Sequence, residues 1–305
     1  MIFDIHKCRL CPRRCGADRT TSIGFCGGGD TVRVAKATLH MWEEPFISGT
    51  RGSGTVFFSG CPLRCCFCQN SAISRENFGE AITTERLADI FLELAGQGAH
   101  NINLVSPTQY LPWIVTALEQ VRGSLHIPVV YNTGGYEQPH AIKSLAGLVD
   151  IYLPDFKYKS GELAERYSAA SDYFDVASAA IDEMVRQTGP AVLDSDGMLR
   201  SGTVIRHLVL PGSREDSKAV VRHIAERWGN AVTVSLMSQY TPQHYSGDIK
   251  ELHRPVSSFE YNQVVELASE LGLCGFMQER SSAKREYTPC FDLSGVLSED
   301  KPQKS

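Results

Sequence analysis

Between Thr55 and Gly272, short apolar runs alternate with stretches of helical periodicity. The runs cover residues 55–58, 102–105, 127–131, 149–153, 203–210 and 231–237. Strands separated by helices call for crossover connections and hence a parallel sheet. Thr83 or Thr84 caps a helix whose Leu87, Ile90, Phe91 and Leu94 recur at helical spacing. Pro112 suits the first turn of the next helix, with Ile114, Val115 and Leu118 behind it. Further helices are expected around 141–146 and over 162–187. Ser213 and Asp216 bracket a helix start running through Trp228, and Ser257 with Glu260 form a better capping box for a helix ending near Gly272. Asp194-Ser195-Asp196-Gly197 reads as a hairpin turn or tight loop inserted before the fifth strand. Six units fall short of the eight in a closed barrel. The expected fold is therefore α/β, a partial (β/α)6 TIM-type barrel, with a doubly wound sheet as the alternative. In both, chemistry gathers at the C-terminal ends of the strands.

The 305 residues suit a barrel of ~250 residues with a small appendage, or two domains. The expected organisation is a Cys-rich N-terminal lobe over 1–50, a core domain over 51–280 and a tail over 281–305, with disorder from residue 298 onward. A chain this long buries roughly three-quarters of its unfolded surface and needs no covalent staple. Its ten cysteines therefore need another explanation. A net charge of −5 argues against a dominant nucleic-acid footprint. No apolar run approaches the ~20 residues of a membrane span, and the start Met1-Ile2-Phe3-Asp4-Ile5-His6-Lys7 does not read as a signal peptide. The expected compartment is the reducing cytoplasm, where clustered thiols indicate metal or redox chemistry.

Eight of the ten cysteines fall in two groups. Cys8, Cys11, Cys15 and Cys26 lie near the N-terminus; Cys61, Cys65, Cys66 and Cys68 lie directly after the first strand. In the second group Cys61, Cys65 and Cys68 form C-x3-C-x2-C. Three thiolates on one loop can hold three irons of a four-iron cluster and leave the fourth open to a small molecule. A zinc knuckle completed by Cys66 or a distant histidine, a thioredoxin-type pair of Cys65 and Cys68, and chance clustering remain alternatives at the level of spacing. The position after a first strand favours the open cluster. The N-terminal quartet, C-x2-C-x3-C-x10-C, offers four thiolates for tetrahedral zinc or a second iron–sulfur cluster. It would serve to fold a small lobe, to relay electrons or to dock a substrate protein. Arg9, Arg13, Arg14 and Arg19 would lower nearby thiol pKa values or simply be solvated. Cys66, Cys274 and Cys290 read as small buried hydrophobes, and His207 as a structural histidine. The glycine-rich stretches at 27–29 and 48–54 do not follow a strand, so neither reads as a dinucleotide loop.

The sequence resembles the radical S-adenosylmethionine (SAM) superfamily, whose three-cysteine signature carries an aromatic residue where Phe67 stands. It looks closest to the pyruvate formate-lyase activating enzyme-like subgroup. The resemblance extends from Cys8 to about Gln278. It rests on Cys11-Pro12-Arg13-Arg14-Cys15-Gly16, the approach to Cys61 from Gly52, and Tyr152-Leu153-Pro154-Asp155-Phe156-Lys157-Tyr158. Arg206-His207-Leu208-Val209-Leu210-Pro211 and Ser235-Leu236-Met237-Ser238-Gln239-Tyr240 add to it. It implies a [4Fe-4S] cluster on Cys61, Cys65 and Cys68, and SAM chelated at the open iron. Reductive cleavage of SAM would then give a 5′-deoxyadenosyl radical that abstracts hydrogen from a substrate. It implies Phe67 beside the adenine, and an electron donor such as flavodoxin or ferredoxin. The subgroup implies a glycyl-radical-type partner protein; the alternatives are modification of a small molecule or peptide, and a non-catalytic iron–sulfur or zinc redox protein. Further SAM contacts are expected at successive strand ends. The second strand end, where relatives often carry Gly-Gly-Glu, here offers Ser106 and Thr108, acceptors without charge. The others are Asn132, the pair Asp155 and Lys157, Arg206 and Gln239.

Overall fold

The computed structural model describes residues 3–242, 245, 247–277 and 289–298. Its strands are β1 (Val32–His40), β2 (Ser53–Phe58), β3 (Glu80–Ile82), β4 (Ile102–Val105), β5 (Val129–Thr133), β6 (Ile151–Pro154), β7 (Val192–Leu193), β8 (Leu199–Leu208), β9 (Thr233–Met237) and β10 (Gly275–Met277). Its helices are α1 (Pro45–Ser48), α2 (Ser71–Ser74), α3 (Thr84–Gly96), α4 (Leu111–Val121), α5 (Pro139–Lys143), α6 (Gly161–Ser168), α7 (Tyr173–Thr188), α8 (Arg214–Arg227) and α9 (Ser258–Glu270). Residues of β2, β4, β5 and β6 are buried throughout, as in a parallel sheet covered on both faces.

Among the described residues the sheet runs β10-β9-β8-β6-β5-β4-β2-β1-β3 and does not close. All neighbours from β2 to β10 are parallel. This is the partial TIM-type α/β fold. The six expected strands correspond to β2, β4, β5, β6, β8 and β9, and β10 adds a seventh parallel strand. On the other side β1 runs antiparallel to β2, from Lys36 opposite Phe57 to His40 opposite Ser53, and β3 pairs with β1. β1 thus joins the sheet although it lies within the 1–50 segment. Its alternation of Val32, Val34, Ala37 and Leu39 with Arg33, Lys36 and Thr38 was a readable strand signal.

Local chemistry sets the helix ends. Thr83 caps α3 by accepting the Arg86 N–H at 3.1 Å, worth about 1 kcal/mol. Ser257 and Glu260 form the expected capping box. The box at Ser213 does not form. Asp216 instead accepts the backbone N–H groups of Lys159 and Ser160, at 3.1 and 2.7 Å. The single helix expected over 162–187 is broken where Ala169 adopts a left-handed conformation, φ 48°. Asp194 through Gly197 makes the expected turn, and β7 pairs with β8 across it. The tail is described only for 289–298. There Asp292 pairs with Lys36 at 3.0 Å and the chain hydrogen-bonds to Ala35 and Ala37 of β1. The disorder expected beyond it lies outside the described residues. No described helix is long and apolar enough to cross a membrane.

Candidate active site

A loop of twelve residues, 59–70, leaves the C-terminal end of β2. Gly60 opens it at φ +84°, where a Cβ would collide with the Cys26 carbonyl oxygen. That oxygen accepts the Cys61 N–H at 2.9 Å. The loop curls over a cavity of about 220 Å³ lined by Cys61, Cys65, Cys68 and Phe67. The same cavity is lined by residues from the ends of β4, β5, β6, β8 and β9: Ser106, Asn132, Asp155, Lys157, Arg206 and Gln239. The structure therefore brings together all but one of the residues expected to hold the cluster and SAM. Thr108 is the exception. Its hydroxyl is directed into the protein and donates to Glu137 at 2.6 Å.

Electrostatics organise the cavity wall. The Lys157 ammonium meets Asp155 at 2.6 Å. Arg206 reaches the other Asp155 oxygen at 2.9 Å and donates to the Asn132 side-chain oxygen at 2.6 Å. Burial works against the Asp155 charge, but the Arg206 and Lys157 cations outweigh it and hold the carboxyl below its ordinary value. Two acids unassigned in the sequence reading complete the network. Glu43 contacts Arg206 at 3.4 Å and accepts from the Asn132 amide at 3.3 Å. Burial pushes the Glu43 and Glu44 carboxyls up, with Arg206 opposing it. These acids follow β1, so no strand-end rule pointed to them. Ser106 holds a left-handed conformation, φ 56°, a strained state that is frequent at binding sites.

The three thiols are free and face one volume. Burial pushes Cys61 up to about 12, with the neighbouring Cys65 adding to the shift. Crowded buried thiolates of this kind are stabilised by bound metal. A four-iron cluster, whose irons are spread over a cube, takes its thiolates from the wall of a cavity larger than a single ion needs. The donor set of Cys61, Cys65 and Cys68 thus fits an iron–sulfur cluster. Cys66 points elsewhere: it does not line the cavity, and its N–H donates to the Tyr167 carbonyl. Ser168, at the break after α6, was also missed; its hydroxyl donates to Cys65 Sγ at 3.0 Å. Phe67 is held edge-on by Tyr167 and Tyr240, each at 6.0 Å. His207 is buried with Nδ1 2.7 Å from the Phe156 carbonyl, a structural role. Cys274 and Cys290 are exposed, correcting the expectation that they are buried. Cys274 directly precedes β10, which among the described strands pairs with β9 alone.

A half-barrel with three cysteines on the loop after its first parallel strand defines the radical SAM class. The chain belongs to the radical SAM superfamily, whose family model matches residues 55–193. Uncharacterized protein MJ0674 of Methanocaldococcus jannaschii is 30% identical over 276 residues, which cover 88% of this chain and 75% of the relative. A radical SAM methyltransferase from Sphaerobacter thermophilus is similar in structure, with TM-score 0.52 and 14% identity. The likeness covers 74% of this chain and 66% of the methyltransferase, just under two-thirds of its length. SuiB of Streptococcus suis, solved with S-adenosylmethionine bound, gives TM-score 0.47 at 14% identity, over 74% of this chain and 50% of SuiB. At such identities solved structures speak to the fold alone, and the second adds nothing to the first. Superfamily membership brings SAM-dependent radical chemistry and, with it, a [4Fe-4S] cluster and SAM.

Proposed function

We propose that Cys61, Cys65 and Cys68 hold the [4Fe-4S] cluster and that the strand-end residues around them hold SAM. The observation that carries this reading is the shared cavity of three free thiols and the Asp155–Lys157–Arg206 network. When bound, the cluster supplies an electron and an open iron for reductive cleavage of SAM to a 5′-deoxyadenosyl radical. The chain's own residues bind and orient. Lys157 and Asp155 offer one cation and one anion to a zwitterionic ligand that also carries a sulfonium. Arg206 fixes Asp155 and Asn132 in place, and Phe67 gives an apolar face for the adenine. Ser106 and Gln239 add neutral polar groups.

Hydrogen abstraction from a glycyl-radical-type partner protein is the preferred outcome. The open sheet and the exposed Trp42 at the cavity rim, 56% accessible, support access by a segment of another chain. Anaerobic reconstitution followed by reduction with SAM is expected to yield 5′-deoxyadenosine and methionine. A protein with a full cluster that never yields 5′-deoxyadenosine would refute the catalytic reading. Deuterium carried from a candidate substrate into 5′-deoxyadenosine identifies the abstracted atom. Capture of a glycyl-radical partner supports activation; turnover of a small compound without any partner overturns it.

A further inference from the structure

The second cysteine group lies outside the cavity just described. Residues 3–31 contain no described helix or strand, and turns hold them: Gly16 N–H to the Cys8 carbonyl, Arg14 N–H to Cys11, Gly24 N–H to Gly28. These turns bring Cys8, Cys11, Cys15 and Cys26 around one small void of about 10 Å³. That is roughly the space of one water-sized sphere. It suits a single ion and is far too small for an iron–sulfur cube.

A second observation points to what fills it. Arg19 lines the same void and is 2% exposed. Its Nη1 donates to the Gln109 carbonyl at 2.7 Å, but Nε and Nη2 have no hydrogen-bond partner. None of the ion pairs among the described residues includes it. The faces of Trp113, Phe3 and Tyr110 surround the guanidinium at 5.0, 5.7 and 5.9 Å. A Cβ on Gly28 would stand 2.5 Å from Arg19 Nη2 and 3.4 Å from Cys26 Sγ, so the cation sits beside that sulfur. A buried cation without a counter-ion is costly. Four thiolates around a divalent ion carry a net charge of −2 and would supply the missing anion.

We propose that Cys8, Cys11, Cys15 and Cys26 bind one Zn²⁺ as a structural tetrathiolate centre, with Arg19 as its buried counter-charge. Zinc fits the donor set and the tetrahedral count. The four sulfurs line the void without already meeting at one point, so the thiols rotate inward as they deprotonate and bind. The centre also anchors the cluster loop. Cys26 accepts the Cys61 N–H, and Arg13 donates to the carbonyls of Pro62 and Ser168, both at 2.8 Å.

The test is metal analysis and zinc X-ray absorption on the full-length protein purified without oxygen. One zinc per chain with a shell of four sulfurs is expected, in addition to the iron of the cluster. Cys11→Ser and Cys26→Ser are expected to lose the zinc, and Arg19→Gln to weaken zinc retention against a chelator about tenfold or more. Cys65→Ala is expected to lose iron and keep zinc, which separates this proposal from the radical SAM assignment. Absence of zinc from the wild type, or a nitrogen or oxygen shell around it, would overturn the proposal, whereas iron surviving in Cys65→Ala would overturn the cluster assignment instead. Should the cysteine variants not fold, the sulfur shell of the wild type decides alone.

Discussion

The two cysteine groups present the same donor atom in opposite settings. The N-terminal quartet sits on irregular backbone around a void of about 10 Å³, beside an unpaired arginine. The trio on the loop after β2 faces a cavity of about 220 Å³ into which five further strand ends deliver polar groups. A quartet with no unused corner suits a structural role. A trio at the open end of a parallel sheet suits chemistry, because the converging strands bring groups from distant parts of the chain to one point.

The sharpest way to break this comparison is to remove one thiol from the trio. Cys65→Ala is expected to abolish cluster assembly and 5′-deoxyadenosine formation, read by iron content and product chromatography. Equal iron loss in Cys66→Ala would show the ligands to be wrongly assigned. Next in size is Asp155→Asn, which leaves Arg206 and Lys157 without their shared anion. A loss of about 3 kcal/mol or more is expected in denaturant unfolding, together with weaker SAM binding.

Glu137 lies between the two regions. It accepts from Thr108, which lines the quartet's void, and from Thr133, which lines the cofactor cavity. Burial, opposed by these two hydrogen bonds, pushes its carboxyl up from 4.5 to about 7. With the folded pKa above the unfolded one, the folded state holds the extra proton. Stability is therefore expected to fall as pH rises from 4.5 to about 7, by on the order of 3 kcal/mol. Glu137→Gln is expected to flatten that slope in unfolding curves measured across this range; an unchanged slope would remove Glu137 as its source.

Gly60→Ala probes the junction itself. The added Cβ meets the Cys26 carbonyl at a left-handed φ, costing about 1–3 kcal/mol and lowering iron occupancy. Unaltered stability and iron content would show that the quartet does not brace the loop. Smallest is Cys66→Ala, expected to leave iron and product formation largely intact.

Much of this was legible in advance because it is local. The six parallel strands follow from apolar runs and helical periodicity. The three ligand candidates follow from spacing after a strand, and the strand-end polar residues from the rule that parallel sheets gather function at one edge. Other features depended on long-range pairing. β1 carried the alternation of a strand, yet its partner could be found only by folding. Glu43, on the segment after β1, lines the cavity and meets Arg206 and Asn132, contacts between distant parts of the chain that residue spacing does not encode.

The sequence by itself determined the class of sheet, the cysteine spacing and the side chains available at the strand ends. Only the tertiary structure decided that Thr108 turns inward to Glu137, that Ser168 reaches Cys65, and that Arg19 is buried beside Cys26. The physical reason is range. Periodicity and capping act within a few residues, whereas burial of a charge and the partner it must find are settled by contacts between segments far apart in the chain.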